Sequence, residues 1–292
     1  LEMSRAHGVS HTALCGGRGR CTTCRVVVQE GLDLIDLPSD AEANSLKAVG
    51  AAPNMRLACQ IRPIHPVTVF RVFQVDGARH RAHSSQGEEK ELAILFLDMR
   101  GFTARTTGQL PYDVVFLLNR FFDAIVPAVT NAGGTIDKYL GDGFLAVFET
   151  KTAASSAKSA LQAVESIAAA LVEFNKVLET ENEGPVKIGI GVHLGDVVLG
   201  EIGAQDQAPR TLIGDAVNTT SRLEGATKEH QVQAFISAPV LEAAGIIISS
   251  EHMIKLVLRG VADPISALAI YPDTNLPVHL NSLQAEPDMA NV

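Results

Sequence analysis

The chain has 292 residues, enough for one large domain with a small one beside it, or for two of medium size. Apolar residues make up 46% and charged residues 20%, an ordinary balance for a globular protein that buries a core. A net charge of −9 argues against a general nucleic-acid-binding face, which is usually basic, so no nucleic acid is expected as a partner. No stretch approaches the roughly 18 to 20 apolar residues of a membrane helix. Apolar runs such as Leu92–Leu97 and Gly245–Ile248 are read as buried strands. The chain opens on Leu1 rather than Met, so an upstream segment, a membrane anchor included, is left open and the chain itself is expected to be cytoplasmic.

All four cysteines lie in the first part of the chain. Cys15, Cys21 and Cys24 follow a C-x5-C-x2-C spacing, and thirty-four residues separate Cys24 from Cys59. Structural zinc would prefer two C-x2-C pairs or added histidines, and only one such pair is present. Disulfides would need an oxidising compartment, which nothing in the sequence indicates. An iron–sulfur cluster needs a loop that wraps closely around inorganic sulfide, and Gly16, Gly17 and Gly19 allow that bend. The arrangement, with Arg56-Leu-Ala-Cys-Gln60 around the last cysteine, resembles the adrenodoxin-like 2Fe–2S ferredoxins. That resemblance implies a small β-grasp ferredoxin-type domain over residues 1–75, with Cys15, Cys21, Cys24 and Cys59 as cluster ligands. Such ferredoxins carry a strand hairpin before the first helix, yet only fourteen residues precede Cys15, and Leu1–Gly8 reads as the end of that helix. The domain is therefore expected to be truncated and to hold its cluster weakly or not at all. His7, His11 and His65 are read as solvated or capping residues.

Residues 76–91 are polar with scattered glycine and serine, and read as an exposed linker in which His80 and His83 are solvated. Leu92–Leu97 then suits a strand covered on both faces, closed by Asp98 and followed by Gly101, Phe102 and Thr103. A carboxylate at a strand tip before a helix start is a place for a metal and phosphates. Pro111–Ala132 shows helical spacing. Thr135–Leu140 and Phe144–Phe148 read as strands joined at Gly141-Asp142-Gly143, a hairpin signal. Asp98 and Asp142 together make two carboxylates at strand tips, the minimum for holding two Mg²⁺ or Mn²⁺ ions on a triphosphate.

An alanine-rich helix is expected over residues 152–180. Val186–His193 and Val197–Ile202 read as a strand pair around Gly195-Asp196, with His193 and Asp196 as strand-end or turn residues, followed by a polar loop over Gly203–Pro209. Asn218 and Arg222 stand four apart on the next helix and so share a face, with Arg222 offering a planar fork to phosphate oxygens. Residues 273–292 read as a loose tail.

Three segments, Phe96-Leu-Asp-Met-Arg-Gly-Phe-Thr103, Asp137-Lys-Tyr-Leu-Gly-Asp-Gly143 and Gly214-Asp-Ala-Val-Asn-Thr-Thr-Ser-Arg222, resemble the class III nucleotidyl cyclases in type and order. The resemblance implies an α+β fold over residues 92–272, a palm with a ferredoxin-like βαββαβ core and extra elements. It assigns metal binding to Asp98, Asp142 and the Met99 carbonyl, and phosphate contacts to Gly101, Phe102 and Thr103. Arg222 would stabilise charge on the α-phosphate, Asn218 would orient the ribose, and Arg259 would meet the terminal phosphates. Lys138 and Thr211 occupy the base-reading positions, where ATP-using members carry lysine with aspartate or threonine, and GTP-using members carry glutamate and cysteine. The implied activity is adenylyl cyclase in a homodimer, with guanylyl cyclase as one alternative and an electron-transfer module bearing a degenerate cyclase domain as another. The signature of diguanylate cyclases is absent.

Overall fold

The structure is a computed structural model that describes residues 1–73, 87–201, 210–272 and 274–283. It divides into two compact units, Leu1–Glu89 with Val198–Leu212, and Lys90–Val197 with Ile213–Val292. No described helix is long and apolar enough to cross a membrane.

The first unit opens with α1 (Glu2–Ala6) and the cysteine loop, then β1 (Arg25–Glu30), α2 (Asp40–Ala48), β2 (Met55–Leu57) and β3 (Thr68–Arg71). The three strands form an antiparallel sheet in the order β2-β1-β3. Ser39 starts α2 by accepting a hydrogen bond from the Glu42 amide. The Glu42 carboxylate turns inward and receives Arg56 Nε and Nη2, each at 2.9 Å, and the Leu57 amide at 2.7 Å. Arg56 Nη1 donates to the Asp36 carbonyl at 2.7 Å. A buried ion pair repays its desolvation only when such extra hydrogen bonds complete it, and removing one partner would strand the other charge. This brace fixes the segment that carries Cys59.

The second unit is built on β4 (Glu88–Met99), α3 (Phe102–Thr106), α4 (Pro111–Asn131), β5 (Thr135–Leu140), β6 (Gly143–Phe148), α5 (Ala153–Thr180) and β7 (Ile188–Glu201). After β7 come β8 (Arg210–Ile213), which up to Leu212 is counted with the first unit, and then, in the second, α6 (Asp215–His230), β9 (Ala234–Ser237), α7 (Ala238–Ala244), β10 (Met253–Leu256), β11 (Ile265–Ile270) and α8 (Leu276–Leu283). The sheet runs β10-β11-β9-β7-β4-β6-β5, with β8 paired to β7 off that path. Its centre, β4-α4-β5-β6-α5-β7 in chain order, is the expected βαββαβ core. Side chains alternate along a strand, so Leu95, Leu97 and Met99 enter the large core under α4 and α5. The same alternation turns Asp98 to the opposite face. There Leu223 of α6 packs with Phe235, Leu256 and Ala267 in a second cluster.

Four expectations need correction. Gly195-Asp196 makes no turn: β7 runs unbroken from Ile188 to Glu201, and His193 and Asp196 lie within it. A Cβ at Gly195 would sit 3.0 Å from the Ala216 Cβ, so this glycine admits α6 rather than bending the chain. Glu88–Glu91 belong to β4, not to a linker. Gly245–Ile248 is no strand; Gly245, at φ 80°, ends α7 in the left-handed region where glycine is at ease. The tail expected from residue 273 contains α8, whose Leu276 and Leu280 are buried in the large core. The linker histidines His80 and His83, the loop over Gly203–Pro209 and residues 284–292 lie outside the described residues.

Candidate active site and cysteine pocket

The paired strands β4 and β6 set Leu97 opposite Phe144, which carries the β5–β6 turn to the tip of β4. Asp98 and Asp142 meet there, close enough for each to shift the other's titration. Gly141 takes the turn at φ 68°. Gly143 matters for space instead, since a Cβ on it would lie 2.2 Å from the Leu97 carbonyl oxygen and 2.8 Å from Asp98 Oδ1. Burial, and then the neighbouring Asp142 charge, push the Asp98 carboxyl up to about 6. Burial also raises Asp142. Two carboxylates held this close favour a cation between them.

Among the described residues, no group of three or more His, Cys, Asp or Glu side chains gathers to hold a metal ion by itself. Two aspartates with a nearby carbonyl fit Mg²⁺, which keeps waters and takes further oxygens from substrate phosphate. Met99 is buried, and Gly101, at φ 68°, precedes the five-residue α3. Phe102 packs against the large core, while Thr103 is exposed.

Two residues around this pair carried no signal in the sequence. Gly189 and Gly191 of β7 leave a slot for Glu224 of α6: a Cβ at Gly189 would lie 2.5 Å from Glu224 Oε1. Burial first, then the charges of Asp98 and Asp142, lift Glu224 to about 7, with Arg100 opposing. Arg100 is itself tied down, Nε donating to the Ile188 carbonyl at 3.0 Å and Nη2 to that of Val232. Glu224 follows Arg222 in an ordinary helical pattern, and only the paired glycines on a distant strand could have marked it.

Asn218 and Arg222 lie on one exposed face of α6 as their spacing required. A cavity of about 440 Å³ between α6 and the segment Lys255–Arg259 is lined by Arg222 and Arg259 together. Lys255 joins them, a basic residue missed because a single lysine in a short strand has no pattern. Neither Asp98 nor Asp142 lines this cavity. Lys138 stands half-exposed on β5, its Nζ 3.1 Å from Asp137 Oδ2, and Thr211 is half-buried in β8. His193 makes a 2.8 Å hydrogen bond with Ser237 Oγ, and burial lowers its pKa to about 4, so it is neutral.

In the first unit the cysteines are drawn together in pairs, Cys15 with Cys21 and Cys24 with Cys59. Gly16, Gly17 and Gly19 all have positive φ, and the loop backbone at Gly17, Arg18 and Arg20 favours the Cys15 thiolate, with burial opposing. Cys59 receives Gln60 Nε2 at 3.4 Å and the Gly19 amide. Hydrogen bonding from Cys24 in particular lowers Cys59 to about 6, whereas Cys24 is raised by the same contact and by burial. A ring of amides around thiol sulfurs suits anionic, metal-bound sulfur, so the pocket fits an iron–sulfur cluster. His7 caps α1 through the Met3 carbonyl at 2.9 Å, but His11 is buried rather than solvated.

Residues 85–255, over half the chain, match the adenylate and guanylate cyclase catalytic domain. The chain belongs to this family. Residues 1–63 match the 2Fe-2S iron-sulfur cluster binding domain. An adenylate cyclase of Anabaena cylindrica is 35% identical over 52% of this chain and 30% of its own length. The terminal-differentiation-specific adenylate cyclase of Dictyostelium discoideum is 33% identical over 58% of this chain and 8% of its own length. The chain thus spans under a third of these relatives. Among solved structures, the guanylyl cyclase Cya2 is 34% identical with a TM-score of 0.55, covering 63% of this chain and 93% of that one. The adenylyl cyclase CyaB from P. aeruginosa is 25% identical with a TM-score of 0.54, covering 64% and 97%. The cyclase fold, α+β with the palm at its centre and a small ferredoxin-type antiparallel sheet before it, agrees with the expectation from sequence.

Proposed function

We propose that this cyclase converts ATP to 3′,5′-cyclic AMP and pyrophosphate in sites shared between two copies of the chain. The observation that carries the shared site is the separation within one chain: the cavity holding Arg222 and Arg259 contains neither Asp98 nor Asp142. A second copy would bring its aspartates to the first copy's arginines, and twofold symmetry would make two equivalent sites. In each, the ribose 3′-oxygen attacks the α-phosphorus, its proton passes to solvent water, and the bond to the leaving pyrophosphate breaks. Bound Mg²⁺ or Mn²⁺ would lower the proton affinity of that hydroxyl and neutralise the triphosphate. Asp98 and Asp142 would hold the ions, with the Met99 carbonyl. Asn218 orients the ribose, and Arg222 faces the charge that grows on the α-phosphate, where a fixed donor acts most strongly. Arg259, with Lys255 beside it, meets the terminal phosphates. The expected test is complementation. Asp98→Ala and Arg222→Ala should each be nearly inactive, while an equal mixture recovers about a quarter of wild-type turnover, because half the dimers are mixed and each has one intact site. Demonstrated heterodimers without recovery would overturn the shared site.

Base choice rests on Lys138 and Thr211. A lysine donates to adenine N1, and threonine accepts from the exocyclic amine, whereas guanine presents a protonated N1 that an ammonium opposes. Lys138→Glu combined with Thr211→Cys should cut ATP use by about ten- to hundredfold and admit GTP. Turnover of ATP and GTP with Mg²⁺ and with Mn²⁺, before and after the exchange, checks this. An unchanged preference would remove these residues from base reading.

For residues 1–63 we propose a 2Fe–2S cluster held by Cys15, Cys21, Cys24 and Cys59, with electron transfer to or from it regulating the cyclase.

A further inference from the structure

A second, larger cavity of about 860 Å³ lies in the catalytic unit and contains none of the residues assigned to the reaction. Its apolar lining includes Leu171 and Val172 of α5, Val186, Ile188 and Leu276 of α8. Asn175 braces this lining, donating to the Val186 carbonyl at 2.9 Å and accepting from the Val186 amide at 2.8 Å. That volume is within the range of pockets that take drug-sized ligands, and the lining is mixed, with Asn175, Gln231, Gln233, Thr274 and Asn275 beside the apolar side chains.

Two cations face the space, Arg100 and Lys187, against one acid, Glu165. Lys187 enters no ion pair among the described residues. Arg100 spends two of its five donors on the carbonyls of Ile188 and Val232, which leaves others for a ligand. The chemistry that fits is an apolar body ending in a carboxylate, sulfonate or phosphate.

The cavity also touches the catalytic strand. Arg100 lies two residues after Asp98, and its amide donates to the Lys187 carbonyl at 2.8 Å. Three hydrogen bonds therefore link the end of β4 to the walls of the cavity. A ligand that favours one setting of these walls shifts the setting of Asp98 by its differential affinity. We propose that this cavity is an effector site for an amphiphilic organic anion, coupled to the metal-binding end of β4 through Arg100.

Binding at this cavity is independent of the choice of ATP over GTP and can be read without turnover. The probe is 8-anilinonaphthalene-1-sulfonate, an apolar anion whose fluorescence rises on burial, titrated into the whole chain. Saturable binding of one probe per chain is expected, undisturbed by the non-cleavable α,β-methylene-ATP. The uncharged analogue N-phenyl-1-naphthylamine should bind at least tenfold more weakly. Lys187→Glu should weaken the anion at least tenfold, and Ala169→Trp, which fills the cavity, should remove it. Both variants should keep their circular dichroism and basal turnover. Saturating probe should also shift the Mg²⁺ concentration for half-maximal turnover at least twofold in the parent, and not in Ala169→Trp. Displacement by the nucleotide, equal affinity for the neutral analogue, or binding indifferent to both substitutions would overturn the site. Specific binding that leaves the Mg²⁺ dependence unmoved would overturn the coupling.

Discussion

The cysteine pocket and the aspartate pair are both built from side chains that suit metal binding, yet they stand in opposite relations to the cores beneath them. Cys24 and Cys59 are two of the seven buried members of the described core cluster in their unit. Asp98 and Asp142 are only half-buried, at the edge of a core filled by Phe121, Phe144, Phe148 and Ile167. A small domain gains much of its folding free energy from the metal it binds, because the ligands are part of what must pack. On this reading the cyclase unit should keep its fold without ions, since its core does not include the two carboxylates. Iron should therefore be structural in one unit and magnesium functional in the other.

The largest effect that would sharpen this contrast is on turnover. Asp98→Asn should lower cyclase activity by at least about a hundredfold, the scale on which site-directed loss of one electrostatic stabiliser falls. Its metal-free melting temperature should hold or rise, since one of two repelling carboxylates is gone. A melting temperature several degrees lower would break the comparison, because Asp98 would then be supporting the fold. The converse experiment is Cys59→Ser. Whatever iron this chain takes up on reconstitution with iron and sulfide should fall towards zero, as expected for one lost ligand of a binuclear cluster. Amide exchange across β1 and β2 should become much faster, with that in β4 and β6 unchanged. Protection retained in β1 would show that the cysteine unit has a core independent of its ligands.

The smallest effect concerns Glu224 and pH. Its folded-state value of about 7 lies above the ordinary 4.5, so the folded protein keeps a proton that the unfolded chain has released. Stability is then lost as pH rises from about 4.5 through 7, and the loss is complete above that. Glu224→Gln should melt about 2 to 4 °C higher than the parent at pH 8 without metal, and at the same temperature at pH 4. An equal gain at both would assign the effect to packing rather than charge.

Much of this molecule was legible in its sequence, and the failures have identifiable physics. The hairpin at Gly141-Asp142-Gly143 and the shared face of Asn218 and Arg222 follow from local periodicity and turn chemistry, which tertiary structure had no reason to override. Gly195-Asp196 failed because a glycine beside an aspartate looks the same whether the chain must turn or a helix must approach. Only the position of Ala216 distinguishes the two. Lys255 and Glu224 were invisible for a related reason. Their meaning depends on which strand lies beside which helix, and no spacing along the chain encodes that.

Gly143 extends the same lesson to what the site can tolerate. A Cβ there would collide with backbone at 2.2 Å, and the obstructing atom belongs to the neighbouring strand, not to a side chain that could swing away. Of the twenty amino acids, one fits. A survey of random substitutions scored by activity would return Gly143 beside Asp98 and Asp142, although it carries no functional group. What the site requires at that point is a hydrogen where every other residue carries carbon.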